Sequence, residues 1–199
     1  MTDRFFVAAT NNRQKFAELA RTFAFNGATL QPYWAYLGRL QFPKEGTENF
    51  TNNAEGKARF IQQQLPQATV IADDSGLLVE ALPDHFGITT MRELSAHAST
   101  DTAMNQYILR LLATTQSHNR HAVLTTTLTV LDSNNQWVTA VGERRFQIPF
   151  SPVGQYSVGF DRIMWDSKTG LTLAQLPDQA RIPFTPRGVA GPKLLAQLR

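Results

Sequence analysis

The stretch Val70-Ile-Ala-Asp-Asp-Ser-Gly-Leu-Leu-Val79 sets two adjacent carboxylates, Asp73 and Asp74, after an apolar run. Ionised carboxylates side by side near a low-dielectric interior repel one another and lose hydration, so something positive must compensate. Magnesium would serve, because it takes oxygen ligands and often uses only one or two carboxylates together with substrate phosphates. The competing reading is that one Asp caps the next element while the other stays solvated.

Three further polar clusters carry possible chemistry. Thr10-Asn11-Asn12-Arg13-Gln14-Lys15 joins a predicted strand to a predicted helix. Helix-terminal N–H groups with Lys15 in the first turn suit an anion, although an ordinary capped loop has the same composition. The segment from Lys44 to Arg59 supplies Glu45 from a loop, and Asn53 and Lys57 four residues apart on one helix face. That face is either functional or simply solvated. Phe160, Asp161, Arg181 and Arg187 bring an aromatic ring and guanidinium groups that could stack on a base and hold phosphate. The alternative is a core aromatic with surface arginines.

Several chemistries are excluded. Gly56-Lys57 is followed by Ala58, so there is no P-loop. Asp73-Asp74-Ser75-Gly76 is not the D-x-D-x-[TV] of haloacid-type phosphatases, and Ser75 lacks a G-x-S-x-G elbow. The chain has no cysteine, which removes disulfides, thiolate nucleophiles and cysteine zinc sites. His85, His97, His118 and His121 show no paired ligand spacing beyond His118-x-x-His121, and surface roles are expected for them.

The elements that must position these residues alternate in type. Arg4 to Ala9 reads as a buried strand, and Phe16, Leu19, Ala20 and Phe23 then recur at helical spacing. A capping box at Asn52-x-x-Glu55 predicts a second helix with the stripe Ala54, Ala58, Ile61, Leu65, stopped by Pro66. Thr69 to Ala72 is predicted as a strand ending at the acidic pair. Thr100 or Asp101 caps a helix carrying Met104, Tyr107, Ile108, Leu111 and Leu112. Ala122 to Val130 alternates as a half-buried strand with mainly Thr on its outer face, and Asp132-Ser-Asn-Asn135 turns it into Trp137 to Arg145. A short final helix is expected from Pro192, after Gly191. Strands alternating with helices, plus a hairpin, predict an α/β fold with a mixed sheet.

At 199 residues the chain suits one domain, or one domain with a lobe. Its net charge of +3 allows a phosphate ligand, but the basic residues are scattered rather than run together as in nucleic-acid arms. No polynucleotide partner and no membrane are expected. The apolar run from Phe5 to Ala9 is too short for a signal or a span, and a cytoplasmic location follows as the expectation.

Taken in order, the clusters are similar to one family. A-T-x-N-x-x-K-x-x-E-L from Ala9, E-G-T-x-x-F-x-x-N-A-x-x-K-A from Glu45, I-A-D-D-S-G-L from Ile71, then G-F-D from Gly159 and R-G at Arg187 resemble the inosine/xanthosine triphosphate pyrophosphatases. Phe86 to Glu93, with Arg92, is similar to the family's P-G-x-x-S-A-R. The resemblance implies an elongated mixed sheet with flanking helices, two lobes around a central cleft, and commonly a homodimer. It implies a single nucleoside-triphosphate pyrophosphatase domain over 1–199, cleaving a triphosphate to monophosphate and pyrophosphate with magnesium. Carried over by position, Thr10, Asn11, Asn12, Lys15 and Lys57 hold the triphosphate, and Ser75 touches phosphate or sugar. Phe160, Asp161, Arg181 and Arg187 lie in the substrate-binding segments. Glu45 and Asp74 bind the metal with Asp73 alongside, and Asp74 is the candidate base.

The departures cluster. Val158 stands where the family has an aromatic, Thr185-Pro186 replaces Ser-His before Arg187, Arg181 replaces a Lys, and Asn52 replaces a Glu. A lost stacking ring costs about 1–3 kcal/mol of base affinity. A relaxed or shifted base preference is therefore expected, the alternative being a nucleotide-binding homologue that has lost turnover.

Overall fold

The computed structural model describes residues 5–131 and 136–198. Along the chain run β1 (Phe5–Ala8), α1 (Arg13–Phe25), β2 (Thr29–Pro32), α2 (Trp34–Leu37), α3 (Phe50–Gln64) and β3 (Thr69–Val79). Next come α4 (Thr90–His97), α5 (Asp101–Thr114), β4 (His121–Leu131) and β5 (Trp137–Gln147). The last are β6 (Trp165–Asp166), β7 (Leu171–Thr172), α6 (Asp178–Arg181) and α7 (Pro186–Gln197). The sheet order is β2-β1-β3-β4-β5-β6-β7. β1 pairs in parallel with β2 and β3, whereas β6 pairs antiparallel with β5 and β7. The sheet is mixed and helices flank it, as the alternation of elements predicts.

The chain divides into two compact units, one of residues 1–75, 126–142 and 186–199, the other of 76–125 and 143–185. In the first, apolar residues of β1 and β3 sort by parity. Phe6, Ala8 and Ile71 pack with Leu19 and Phe23 of α1 and with Ala190 and Leu194 of α7. Val7, Ala9, Val70 and Ala72 pack with Ala54, Ala58 and Ile61 of α3. Successive side chains of a strand point to opposite faces, so this sheet carries one core on each side. The second unit has its own core. Leu77, Val79 and Phe146 meet Leu94 of α4, Met104, Ile108 and Leu112 of α5, and Ile163, Met164 and Leu173.

Several boundaries differ from the sequence reading. β3 does not stop at the acidic pair but runs through it to Val79, because Leu77 and Val79 have a core to enter. The cap of α3 is Asn49, three residues before the predicted Asn52, and it accepts from the Asn52 N–H at 2.7 Å. The Thr face of β4 is not exposed. Thr125, Thr127 and Thr129 are buried along with Thr126, since β4 lies in the middle of the sheet.

α7 starts at Pro186 rather than Pro192, which falls inside it. Proline fits a helix's first residue, where its missing N–H costs nothing, and Pro186 takes that place. Gly142 of β5 then becomes obligatory, since a Cβ there would lie 2.0 Å from the Pro186 carbonyl oxygen. Thr100 caps α5 as predicted, accepting from the Ala103 N–H. Arg4 and the turn predicted at Asp132–Asn135 lie outside the described residues.

Candidate active site

The β1–β3 register pairs Ala8 with Ile71, and the Ala9 N–H donates to the Ile71 carbonyl at 2.8 Å. Two residues further on, the same register brings Thr10 level with Asp73. Within β3, Asp73 follows Ile71 in parity and turns to the α1/α7 side, while Asp74 follows Ala72 and turns to the α3 side. The strand itself separates the adjacent charges: Arg187 and Lys15 contact Asp73, Lys57 contacts Asp74, and the Lys57 charge acts on both.

Asp73 is 1% exposed. Arg187 Nη2 donates to its Oδ2 at 2.7 Å, and Lys15 Nζ stands 3.8 Å from the same oxygen. Arg187 also donates to Glu18 Oε2 at 2.6 Å and to Ser75 Oγ at 3.3 Å. Burial alone would push the Asp73 carboxyl up; Lys15, Arg187 and Lys57 outweigh it and hold the group well below the usual carboxylate range. Burial lowers the Lys15 ammonium, with Asp73 opposing and Arg187 adding to the effect.

On the α3 side, Lys57 Nζ lies 2.9 Å from Glu45 Oε1 and 3.5 Å from Asp74 Oδ1. Burial would lower Lys57, but Asp73, Asp74 and Glu45 overcome it, and the ammonium is raised. Asp74 Oδ1 also accepts from the Ser75 N–H at 3.0 Å, and Oδ2 accepts from Asn53 Nδ2 at 2.9 Å. The charge that the sequence reading assigned to a metal is thus supplied by Lys15, Lys57 and Arg187 of the chain.

The loop before α1 is fastened rather than free. Asn12 caps α1, its Oδ1 accepting from the Gln14 and Lys15 N–H groups at 2.9 and 3.0 Å, and Thr10 Oγ1 accepts from the Asn12 N–H. Asn11 donates to the Leu40 carbonyl at 2.8 Å and accepts from the buried Tyr33 hydroxyl, so its side chain anchors the loop.

The remaining expected residues lie in the second unit. Phe160 is partly buried against its core. Arg181 is 5% exposed, and its guanidinium meets Asp161, Asp178 and the carbonyls of Leu176 and Tyr156. That side chain braces the surrounding loops instead of presenting a cation. Val158 is 54% exposed.

Glu45, Asp73 and Asp74 were expected together at a metal. Glu45 and Asp74 converge on Lys57 Nζ, but Asp73 is turned to the other face, and among the described residues no three acidic or histidine side chains gather for a metal. Two carboxylates are still a fitting donor set for a hard divalent cation that completes its shell with phosphate oxygens and water. Asp73 Oδ1, buried and without a hydrogen-bond partner among the described residues, is a further oxygen able to accept from a ligand or water. Glu18 received no role from the sequence, and Asn53 only a place beside Lys57 on a helix face read as functional or solvated. Glu18 lies one turn beyond Lys15 on α1, a spacing that puts both on one face and could have pointed to it.

Fold and site together define an α/β protein in which lysines and an arginine meet buried carboxylates of the central strand β3. The chain belongs to the Ham1 family, whose model matches residues 6–197. It is 34% identical over 193 residues to the dihydroneopterin triphosphate diphosphatase of Limosilactobacillus reuteri, covering 97% of each chain. It is 33% identical over 199 residues to the dITP/XTP pyrophosphatase of Lactiplantibacillus plantarum, covering 96% of this chain and 93% of that one. Among solved structures, a HAM1 protein from Coxiella burnetii superposes with a TM-score of 0.82 at 26% identity, covering 98% of both chains.

Proposed function

We propose that the protein hydrolyses a triphosphate between its α and β phosphates, releasing pyrophosphate and the monophosphate. The observation that carries this reading is the placement of Asp73 and Asp74 on opposite faces of β3, each against its own lysine. Lys15 and Lys57 neutralise the phosphates. Asp74, oriented by Asn53 and the Ser75 N–H, takes the proton of the attacking water. Magnesium held by Glu45 and Asp74 would supply charge stabilisation at the phosphate oxygens. Arg187 orients Asp73 and Ser75, and bears on the substrate through them.

The substrate class follows the family: a non-canonical purine triphosphate such as dITP, ITP or XTP, handled with altered base preference. A second reading, a pteridine triphosphate, is favoured by the departures at Val158 and Thr185-Pro186 and by the Limosilactobacillus relative. Both rings are fused, planar and rich in hydrogen-bonding groups, so the same triphosphate chemistry serves either. On the family resemblance the protein is read as a cytoplasmic homodimer; no helix among the described residues is long and apolar enough to cross a membrane.

The test is pyrophosphate release with magnesium from ITP, XTP, dITP, the common nucleoside triphosphates, dUTP and 7,8-dihydroneopterin triphosphate, with Asp74→Asn as control. Turnover lost in the variant supports the enzyme, and the substrate ranking separates purine from pteridine. Binding without turnover on any of these would make it a sensor.

A further inference from the structure

Glu45 is 40% exposed and stands in a chain segment, residues 38–49, that contains no helix or strand. Its carboxylate meets Lys57 of α3 at 2.9 Å. One residue on, the backbone is gripped from α3 as well. The Gly46 N–H donates to Asn53 Oδ1 at 2.8 Å, and Asn53 Nδ2 donates back to the Gly46 carbonyl at 3.3 Å. The same Nδ2 donates to Asp74 Oδ2 at 2.9 Å. Asn53 is 7% exposed, so these bonds are made where water competes little.

We propose that Asn53 is a positioning residue of the site: through its one amide it fixes the Glu45 loop against Asp74, so that both carboxylates address a single cation position. The inference rests on the reading of Glu45 and Asp74 as metal ligands. An amide is required because it both accepts from the Gly46 N–H and donates to a carboxylate. Aspartate in its place keeps the acceptor but cannot donate while ionised, and it sets another negative charge beside Asp74. Alanine releases the loop and Asp74 together. Asn53 lies one turn before Lys57 on α3, so a single helix places the loop's fastener and the cation between the two carboxylates.

The experiment uses Mn2+ as the probe. Its binding to the full chain is followed by loss of the free-ion paramagnetic resonance signal, in wild type, Asn53→Ala and Asn53→Asp. Circular dichroism, and kcat and KM for the best triphosphate, are measured alongside. Asn53→Ala is expected to weaken Mn2+ binding and lower kcat by about 10–100-fold, the usual effect of removing a group that orients a metal ligand. KM should move by less than about threefold, because the phosphates keep their lysines. Asn53→Asp is expected to keep a native spectrum and bind Mn2+ as well as wild type or better, through its added carboxylate, yet lose kcat as Asn53→Ala does.

Metal bound without turnover would mark Asp74 as misoriented, which a merely structural role would not produce. Wild-type kcat in Asn53→Asp would overturn the proposal, as would unchanged Mn2+ affinity in a folded Asn53→Ala, or a wild type that binds no Mn2+. Should Asn53→Ala fail to fold, Asn53→Asp decides. If wild type turns over no triphosphate, the proposed function fails by itself, while the Mn2+ affinities still judge Asn53.

Discussion

Arg187 ties the buried Asp73 to α1 and to Ser75. Its guanidinium reaches Asp73, Glu18 and Ser75, a span suited to a planar fork and not to a single ammonium. Removing one partner of a buried pair leaves the other charge uncompensated. Arg187→Ala should therefore cost about 3 kcal/mol of stability in urea unfolding, and Arg187→Lys should recover only part of it. Wild-type stability in Arg187→Lys would show that charge alone matters there. Asp73 also predicts a pH dependence. Its folded pKa is depressed below its ordinary 3.8, so its contribution is full above that value and is lost as pH falls through it toward the folded pKa. Thermal melts in chelator should be flat in Tm just above pH 5 and fall steeply below pH 4, with a shallower fall in Asp73→Asn.

At the scale of elements, the N-terminus of α7 is set by its contact with β5. A Cβ on Gly142 would meet Pro186 backbone at 2.0 and 3.0 Å and the Ala190 nitrogen at 2.8 Å. None of these is the end of a flexible side chain. Gly142→Ala is expected to destabilise by about 1–3 kcal/mol, as overpacking does, and to move Arg187 with its helix. A Tm unchanged from wild type would mean that β5 and α7 can separate at no cost. Helix α1 behaves differently, because its cap belongs to the site. Asn12 holds the Gln14 and Lys15 N–H groups, so local helix chemistry and the placement of Lys15 are one arrangement.

Over the whole molecule, the net charge of +3 is not a basic surface. Lys15, Lys57, Arg181 and Arg187 are largely turned inward against acids. No retardation of duplex DNA is expected near 0.15 M salt, where screening leaves little long-range attraction. A shift in a gel at that salt would contradict this view.

The sequence by itself determined what is local or ordered along the chain. The alternation of strands and helices, the cap of α5, the acidic pair and the order of motifs were all legible, because each depends on residues a few positions apart. The departures from the family's motifs at Val158 and Thr185-Pro186 were legible in the same way. Tertiary structure decided the rest. Continuation of β3 past Asp74 depends on a core for Leu77 and Val79, and that continuation sends the two carboxylates to opposite faces. The burial of the β4 threonines depends on its neighbours in the sheet. Pairing of Arg187 with Glu18 joins residues 169 apart, and the Asn53 bond to Asp74 joins residues 21 apart. Such partners meet only after the sheet and its two helical layers have formed, and no spacing along the chain encodes them.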